Sequence, residues 1–370
     1  MEKENWYHIK DTEQLISPSL LVFPDRIEKN IGTMLKIAGG PQRLRPHIKT
    51  HKIAEIIEMQ LRHGIHKFKC ATIAEAELLA TTGAKDVLLA IQPSGPNITR
   101  FFDLMDTYPE THFSTIVDNA KTMDEVAKIA STKHRVVSLF LDINSGMNRT
   151  GIAPGPEAVA LYRGIADNPN LEVKGIHVYD GHIRNPDIAV RTKVCDAAFE
   201  LVTQLKRDIE DLGMPVNTIV AGGTPSFPIH SRRGTVEVSP GTSLLWDHRY
   251  GTLFPEMGFV PAAVLLSRII SKPKEGYLCL DLGHKSVAPE MPLPRVRFLG
   301  YVDFEQIGQS EEHLVVTTQK SSAYEVGDIL YAVPFHICPT VAKYHEVISI
   351  ATNGEQEIWS VAARNNKITI

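Results

Sequence analysis

What this chain lacks narrows its function before any motif is read. Nowhere do apolar residues run on for the roughly eighteen positions that a bilayer-spanning helix needs. The opening MEKENWYHIKDTEQ is polar where a secretion signal carries an apolar stretch. Both absences lead to the expectation of a soluble, cytoplasmic protein with no membrane partner. Cysteine is scarce: Cys70, Cys195, Cys279 and Cys338 are the only four in 370 residues, far apart and without metal-finger spacing. That excludes a disulfide scaffold and suits a reducing compartment. No run of lysine and arginine interleaved with aromatics occurs and the net charge is −4, so nucleic acid is not an expected partner and the ligand is expected to be small. Glycine and proline are spread over turn positions rather than gathered into a linker, and no low-complexity tract interrupts the chain.

What is there is a hydrophobic content of 43%, enough for a large domain and a smaller one, each with its own core. From Pro18 to about Leu245, short apolar or β-branched runs alternate with amphipathic helical patterns. After an initial strand near Leu20–Phe23, eight runs follow: Arg43–Lys49, Lys67–Thr72, Asp86–Ile91, His112–Asp118, Val136–Ile143, Val173–Tyr179, Thr218–Gly223 and Val236–Leu244. Helical periodicity separates most of them, as in Ile53–His63, Ile73–Thr82, Asn119–Ala130, Pro156–Ala166 and Asp187–Leu212. The last run is the weakest, since no long helical pattern leads into it. This alternation predicts an α/β fold, a TIM-type (β/α)8 barrel over residues 18–250. Beyond Pro255 the runs are Phe259–Ser271, Tyr277–Leu282, Val296–Glu305, Leu314–Thr318, Asp328–Ala332 and Glu346–Ala351, with no helices between them. A C-terminal all-β domain over residues 255–370 is expected, with residues 1–17 attached to it.

Barrel enzymes keep their chemistry at the C-terminal ends of the strands. The segment Arg45-Pro46-His47-Ile48-Lys49-Thr50-His51-Lys52 ends the first barrel run, and strand alternation puts Arg45, His47 and Lys49 on one face. A lysine held at the mouth suits a Schiff base with a carbonyl or with pyridoxal phosphate, and equally suits a basic strand end gripping a phosphate. Behind the seventh run, Gly222, Gly223 and Thr224 form a glycine turn, and Gly241 and Thr242 form a second one behind the eighth. Two such turns at the last two strands of a barrel read as a phosphate cradle. In the β-domain, His336 and Cys338 make a His-x-Cys pair that a strand would present on one face. Such a pair is usually packing; as a ligand set it favours zinc or another borderline-soft metal.

RPHIKTHK resembles the lysine motif of the D-threonine aldolase and eukaryotic-type D-serine dehydratase family, relatives of alanine racemase among the barrel enzymes that use pyridoxal 5'-phosphate. The resemblance assigns the Schiff base to Lys49 rather than Lys52, which alternation places in the first turn of the next helix. Asp142–Gly151 resembles the D-x-x-x-G-M-x-R-x-G segment of the same barrels and implies that Arg149 contacts the cofactor's phenolic oxygen or a substrate carboxylate. Tyr179, on one strand face with His177, is by resemblance the partner of the pyridine nitrogen, and His182 in the loop beyond is the acid–base candidate. The family binds a divalent metal through such a β-domain pair, which makes His336 and Cys338 the expected ligands of zinc or manganese. It is also built as a homodimer. The resemblance thus implies a lyase acting on D-β-hydroxy-α-amino acids, D-threonine aldolase-like, with D-serine dehydratase as the alternative. A non-catalytic pyridoxal phosphate carrier is the alternative from another class; it would need neither the β-domain nor a metal pair.

Overall fold

The computed structural model describes residues 6–10 and 12–370. The chain begins with β1 (Ser19–Val22) and α1 (Pro24–Ala38), then runs through α2 (Ala54–Arg62), β2 (Lys67–Cys70), α3 (Ile73–Thr81), β3 (Asp86–Leu89), α4 (Pro96–Thr107), β4 (His112–Val117), α5 (Ala120–Thr132), β5 (Val137–Ile143), α6 (Pro156–Ala166), β6 (Leu171–Val178), α7 (Ile188–Glu210), β7 (Thr218–Ala221), α8 (Phe227–His230) and β8 (Val236–Val238). After α9 (His248–Leu253) come β9 (Ala263–Ser271), β10 (Tyr277–Leu280), β11 (Val296–Phe298), β12 (Glu305–Gln309), β13 (Leu314–Thr317), β14 (Ile329–Pro334), α10 (Ile337–Val341), β15 (Glu346–Ile350) and β16 (Gln356–Ser360). Two compact units result: residues 33–241 with 365–370, and residues 1–32 with 242–364. The expected spans were 18–250 and 255–370 with 1–17; of the last, residues 1–5 and 11 lie outside those described.

In the first unit β2 to β8 form one parallel sheet in sequence order. Its strands are mostly buried, as strands covered on both faces are, and every residue of β5 is. The expected first run, Arg43–Lys49, is not a regular strand. It is a stretch between two single-turn 3₁₀ helices, joined to β8 by a bridge from Leu44 to Val238 and to β2 by a bridge from His47 to Lys69. Pro46 is the reason: it has no N–H for a ladder and can offer only its carbonyl, which Lys69 N–H takes at 2.8 Å. The ring still closes, with Arg45 N–H on the Val238 carbonyl at 2.9 Å. Below this closure Arg45, 2% exposed, is clamped between Asp86 and Glu237, both at 2.7 Å. Arg45 therefore braces the barrel interior and does not share the mouth with His47 and Lys49.

The second unit is built on a mixed sheet in the order β12-β13-β10-β9-β1-β15-β16, with β14 also on β9 and β11 on β14. β1 lies between β9, antiparallel, and β15, parallel, so the first strand of the chain sits in the middle of this sheet. Leu20, Leu21 and Val22 are fully buried there. The expected strand Val296–Glu305 is two strands, β11 and β12, broken around Gly300, which turns the chain at φ 81°.

Candidate active site

At the C-terminal ends of the barrel strands lies a cavity of about 490 Å³, lined among others by His47, Lys49, Lys69, Asp142, His177 and Tyr179. Lys49 reaches it from the second 3₁₀ turn, which His47 caps by accepting Lys49 N–H on Nδ1 at 3.3 Å. His47 is thus held with Nδ1 as acceptor, and burial together with the charges of Lys49 and Lys69 pushes its pKa well below the usual histidine value. Lys52 points elsewhere. It precedes α2 at φ 59° instead of lying in its first turn, and its amine is ion-paired with buried Glu75.

Tyr179 is the hub of the cavity. The centroid of its ring is 4.9 Å from the Arg149 guanidinium, 5.5 Å from Lys49 Nζ and 5.7 Å from Lys69 Nζ. Two glycines make room for it: a Cβ on Gly223 would stand 3.0 Å from Tyr179 Cε2, and one on Gly181 only 2.4 Å from the phenol oxygen. Arg149 comes from a loop shaped by Asn144, whose Oδ1 accepts the N–H groups of Gly146 and Asn148 at 3.0 Å each. Gly151 closes that loop against the Asn144 backbone, where a Cβ would meet the Asn144 nitrogen at 2.5 Å.

The sequence reading missed Lys69. It ends β2 beside the Lys49 segment and is 2% exposed, with Nζ 3.2 Å from His177 Nε2; His177 Nδ1 in turn lies 2.6 Å from Asp142. A carboxylate only accepts, so Nδ1 carries the imidazole proton and Nε2 presents its lone pair to Lys69. Burial first, then the charge of Lys49, brings Lys69 down to about 7, with Asp142 and Asp180 opposing. Its strand reads Lys-Phe-Lys-Cys, in which nothing local sets Lys69 apart from Lys67. His182, by contrast, is exposed and is not among the residues lining the cavity; its Nε2 lies 3.2 Å from where a Cβ on Gly146 would be.

The two glycine turns do meet: Gly241 N–H donates to Thr224 Oγ1 at 3.1 Å, and Ser239 N–H to the Ala221 carbonyl. Gly222 N–H bonds the Val178 carbonyl and Gly223 N–H bonds Ser226 Oγ, because the loop must first satisfy its own buried backbone. Beside it, Ser239 Oγ is buried with no hydrogen-bond partner, a state that costs about 1–3 kcal/mol unless something binds there. An amine, an aromatic ring and a guanidinium around such a cavity, with an orphaned hydroxyl beside the glycine turns, fit pyridoxal phosphate.

Beneath this loop Asp180, Cys195 and His230 bring their ligand atoms within 4.8 Å of one another, a spacing that could hold a metal ion. The hydrogen bonds argue for a brace instead. Arg233, which can only donate, lies 3.0 Å from His230 Nδ1, so Nε2 carries the proton and gives it to Asp180 at 2.8 Å. Asp180 also accepts from Ser226 Oγ at 2.6 Å, and burial with the nearby Asp180 charge pushes the Cys195 thiol up to about 12. A Cβ on Gly222 would strike His230 at 2.8 Å, so this network supports the glycine turn from below.

In the second unit His336 and Cys338 are not on a strand. β14 ends at Pro334, His336 is the N-cap of α10 and Cys338 lies in its first turn, followed by Pro339, which is tolerated there. The pair still converges: hydrogen bonding and charge from Cys338, with Glu290 on Nδ1, outweigh burial and raise His336 to about 9. Thr242 Oγ1 stands 3.5 Å from Cys338 Sγ, and Asp247, which burial pushes up to about 6, accepts Ile337 N–H at 3.2 Å. An imidazole and a thiol side by side fit a borderline-soft divalent ion.

Comparison with known proteins agrees with this architecture. A putative serine dehydratase domain matches residues 262–350. The chain is 27% identical to 3-hydroxy-D-aspartate aldolase of Paracoccus denitrificans, over 96% of this chain and 93% of the relative, and 25% identical to D-threonine aldolase of an Arthrobacter species, over 94% and 92%. Among solved structures, D-threonine aldolase from Filomicrobium marinum superposes with a TM-score of 0.87 at 26% identity, covering 94% of this chain and 96% of the other. The profile of the alanine racemase N-terminal domain matches residues 22–248, more than half of the sequence, and the chain belongs to that family.

Proposed function

We propose that this protein is a pyridoxal phosphate- and divalent metal-dependent lyase of D-β-hydroxy-α-amino acids, cleaving them as an aldolase to glycine and an aldehyde. The observation that carries the reading is the convergence of Lys49, Arg149 and Tyr179 on one cavity above the two joined glycine turns. Near-full-length likeness to two D-β-hydroxy acid aldolases supports the order of preference. When bound, pyridoxal phosphate supplies the electron sink for breaking a bond at Cα, and a divalent metal supplies a Lewis acid for the β-hydroxyl. Lys49 would hold the cofactor covalently. Thr224, with Gly222, Gly223, Gly241 and Thr242, would border its phosphate, and Arg149 would bind an anionic oxygen. Tyr179, in the cavity beside Lys49, Lys69 and Arg149, would contact the cofactor's ring, as partner of its pyridine nitrogen. His177 orients Lys69, and His336 with Cys338 would hold the metal. His182, exposed beside the Arg149 loop, remains the group to move a proton at the substrate's outer end.

Dehydration of D-serine is the second reading, favoured by the match of residues 262–350 to a serine dehydratase domain. An assay of D-threonine, L-threonine, 3-hydroxy-D-aspartate and D-serine with added cofactor and metals separates the two. Glycine and aldehyde from the D-β-hydroxy acids are expected; pyruvate from D-serine as the main product reverses the order, and no product from any sinks both. We further propose a homodimer in which the partner's β-domain closes each barrel mouth, two-fold closure being the commonest way to cover such a surface. A fully active monomer at micromolar concentration would contradict it. The compartment proposed is the cytoplasm, supported by four cysteines none of which is joined in a disulfide.

A further inference from the structure

Lys69 has no part in the roles assigned above, yet nothing else in the cavity is so thoroughly prepared. It shares the cavity with Lys49 and approaches the same Tyr179 ring. Behind it stands a directed chain: Asp142 accepts from His177 Nδ1, which leaves Nε2 to accept from Lys69. The groups facing it are Lys49, Arg45 and His47 from the closing segment, Asp142 from β5, and His177 and Asp180 from β6 and its end. As an uncharged amine Lys69 can donate one N–H to His177 and still turn its lone pair to the cavity. As an ammonium it keeps the same hydrogen bond, and Asp142 across the imidazole offsets the new charge.

An α-amino acid arrives at neutral pH with its amine protonated, and an ammonium is no nucleophile. We propose that Lys69 accepts the proton that the incoming α-ammonium must lose before it can react, with His177 and Asp142 holding the charge. The substrate N–H bond breaks, a new N–H bond forms on Lys69 Nζ, and the freed lone pair of the substrate is the one that reacts. The inference rests on the reading of the cavity as an amino-acid site. It assigns to a second lysine the step that Lys49, committed to the cofactor, is not free to perform.

The test is the rate at which glycine, which has no bond for the lyase to cleave, perturbs the cofactor spectrum of the holoenzyme, followed by stopped flow across pH. In the wild type this rate rises through neutral pH and then levels. In Lys69→Met it falls by ~100-fold at neutral pH, the usual scale of a lost general base, and climbs only as free glycine itself loses its proton. Added methylamine restores Lys69→Ala, whereas Lys69→Arg stays slow. Independently, in protein carrying isotope-labelled lysine, one side-chain nitrogen resonance titrates near neutral pH and is missing from Lys69→Met. Asp142→Asn, which keeps Lys69 but lets an amide donate to Nδ1 and so turns Nε2 into a donor, displaces the pH limb. A wild-type rate and limb in Lys69→Met, or an unmoved limb in Asp142→Asn, overturns the proposal. No spectral response to glycine in the wild type instead overturns the reading of the cavity itself.

Discussion

Lys49 and Lys52 carry the same amine three residues apart, but one faces a cavity and the other is tied to a buried glutamate. Borohydride reduction of the yellow holoenzyme is therefore expected to leave the cofactor on the peptide containing Lys49. An adduct on Lys52, on Lys69, or on no lysine would remove the assignment. The cysteines divide in the same way. Cys338 stands beside an imidazole that can share an ion with it, whereas Cys195 stands beside one whose ring nitrogens are both engaged, by Arg233 and by Asp180. Bound metal, measured by elemental analysis, should be lost in Cys338→Ala and kept in Cys195→Ala. Cys338→Asp should retain a site shifted towards manganese, since a carboxylate is the harder ligand. Metal lost from Cys195→Ala and kept in Cys338→Ala would exchange the roles of the two clusters.

At the scale of elements, the irregular segment that closes the barrel depends on Arg45. Asp86→Asn removes one of its two carboxylates, and a loss of about 2–3 kcal/mol in urea unfolding is expected, less than for a wholly buried pair because Glu237 remains. Burial alone would raise Asp86, but the Arg45 hydrogen bond and charge hold its carboxyl below the usual range. Its contribution is therefore complete above the ordinary carboxylate pKa and fades as pH falls through the lower folded value. The gap between wild type and Asp86→Asn should narrow in acid; a constant gap would show that Asp86 acts by packing. The same segment shows where sequence reading stops. Pro156–Ala166 was legible to the residue, because a proline begins it and apolar spacing continues it. Arg43–Lys49 was read as a strand because alternation carries no record of the hydrogen bonds Pro46 cannot make. β16 was missed since only Trp359 of its five residues is buried, and an exposed edge leaves a faint pattern. His336 and Cys338 were expected on a strand but lie at the start of α10, for a helix of five residues has too few positions to show a period. Lys69 escaped because burial of a charged group depends on partners from β5 and β6, and no local pattern announces them.

For the whole molecule, the proposed cofactor lysine and the proposed metal pair belong to different units: Lys49 to one, His336 and Cys338 to the other. Chelation should accordingly abolish turnover while leaving the visible cofactor band intact. A band that disappears with the metal would mean that cofactor binding and metal binding are not separable. The path of the chain has a consequence for how the molecule is made. β1 is translated long before either strand that flanks it, since β9 begins at Ala263 and β15 at Glu346. At ribosomal speeds the strand waits roughly 10–50 s for the first of them. Throughout that time the barrel residues can collapse on one another, but Leu20, Leu21 and Val22 emerge as an apolar ribbon with both edges bare. A nascent chain halted after the barrel should thus be held by chaperones at this tripeptide, and the newborn protein is most vulnerable to aggregation at the very strand that ends up in the middle of its finished sheet.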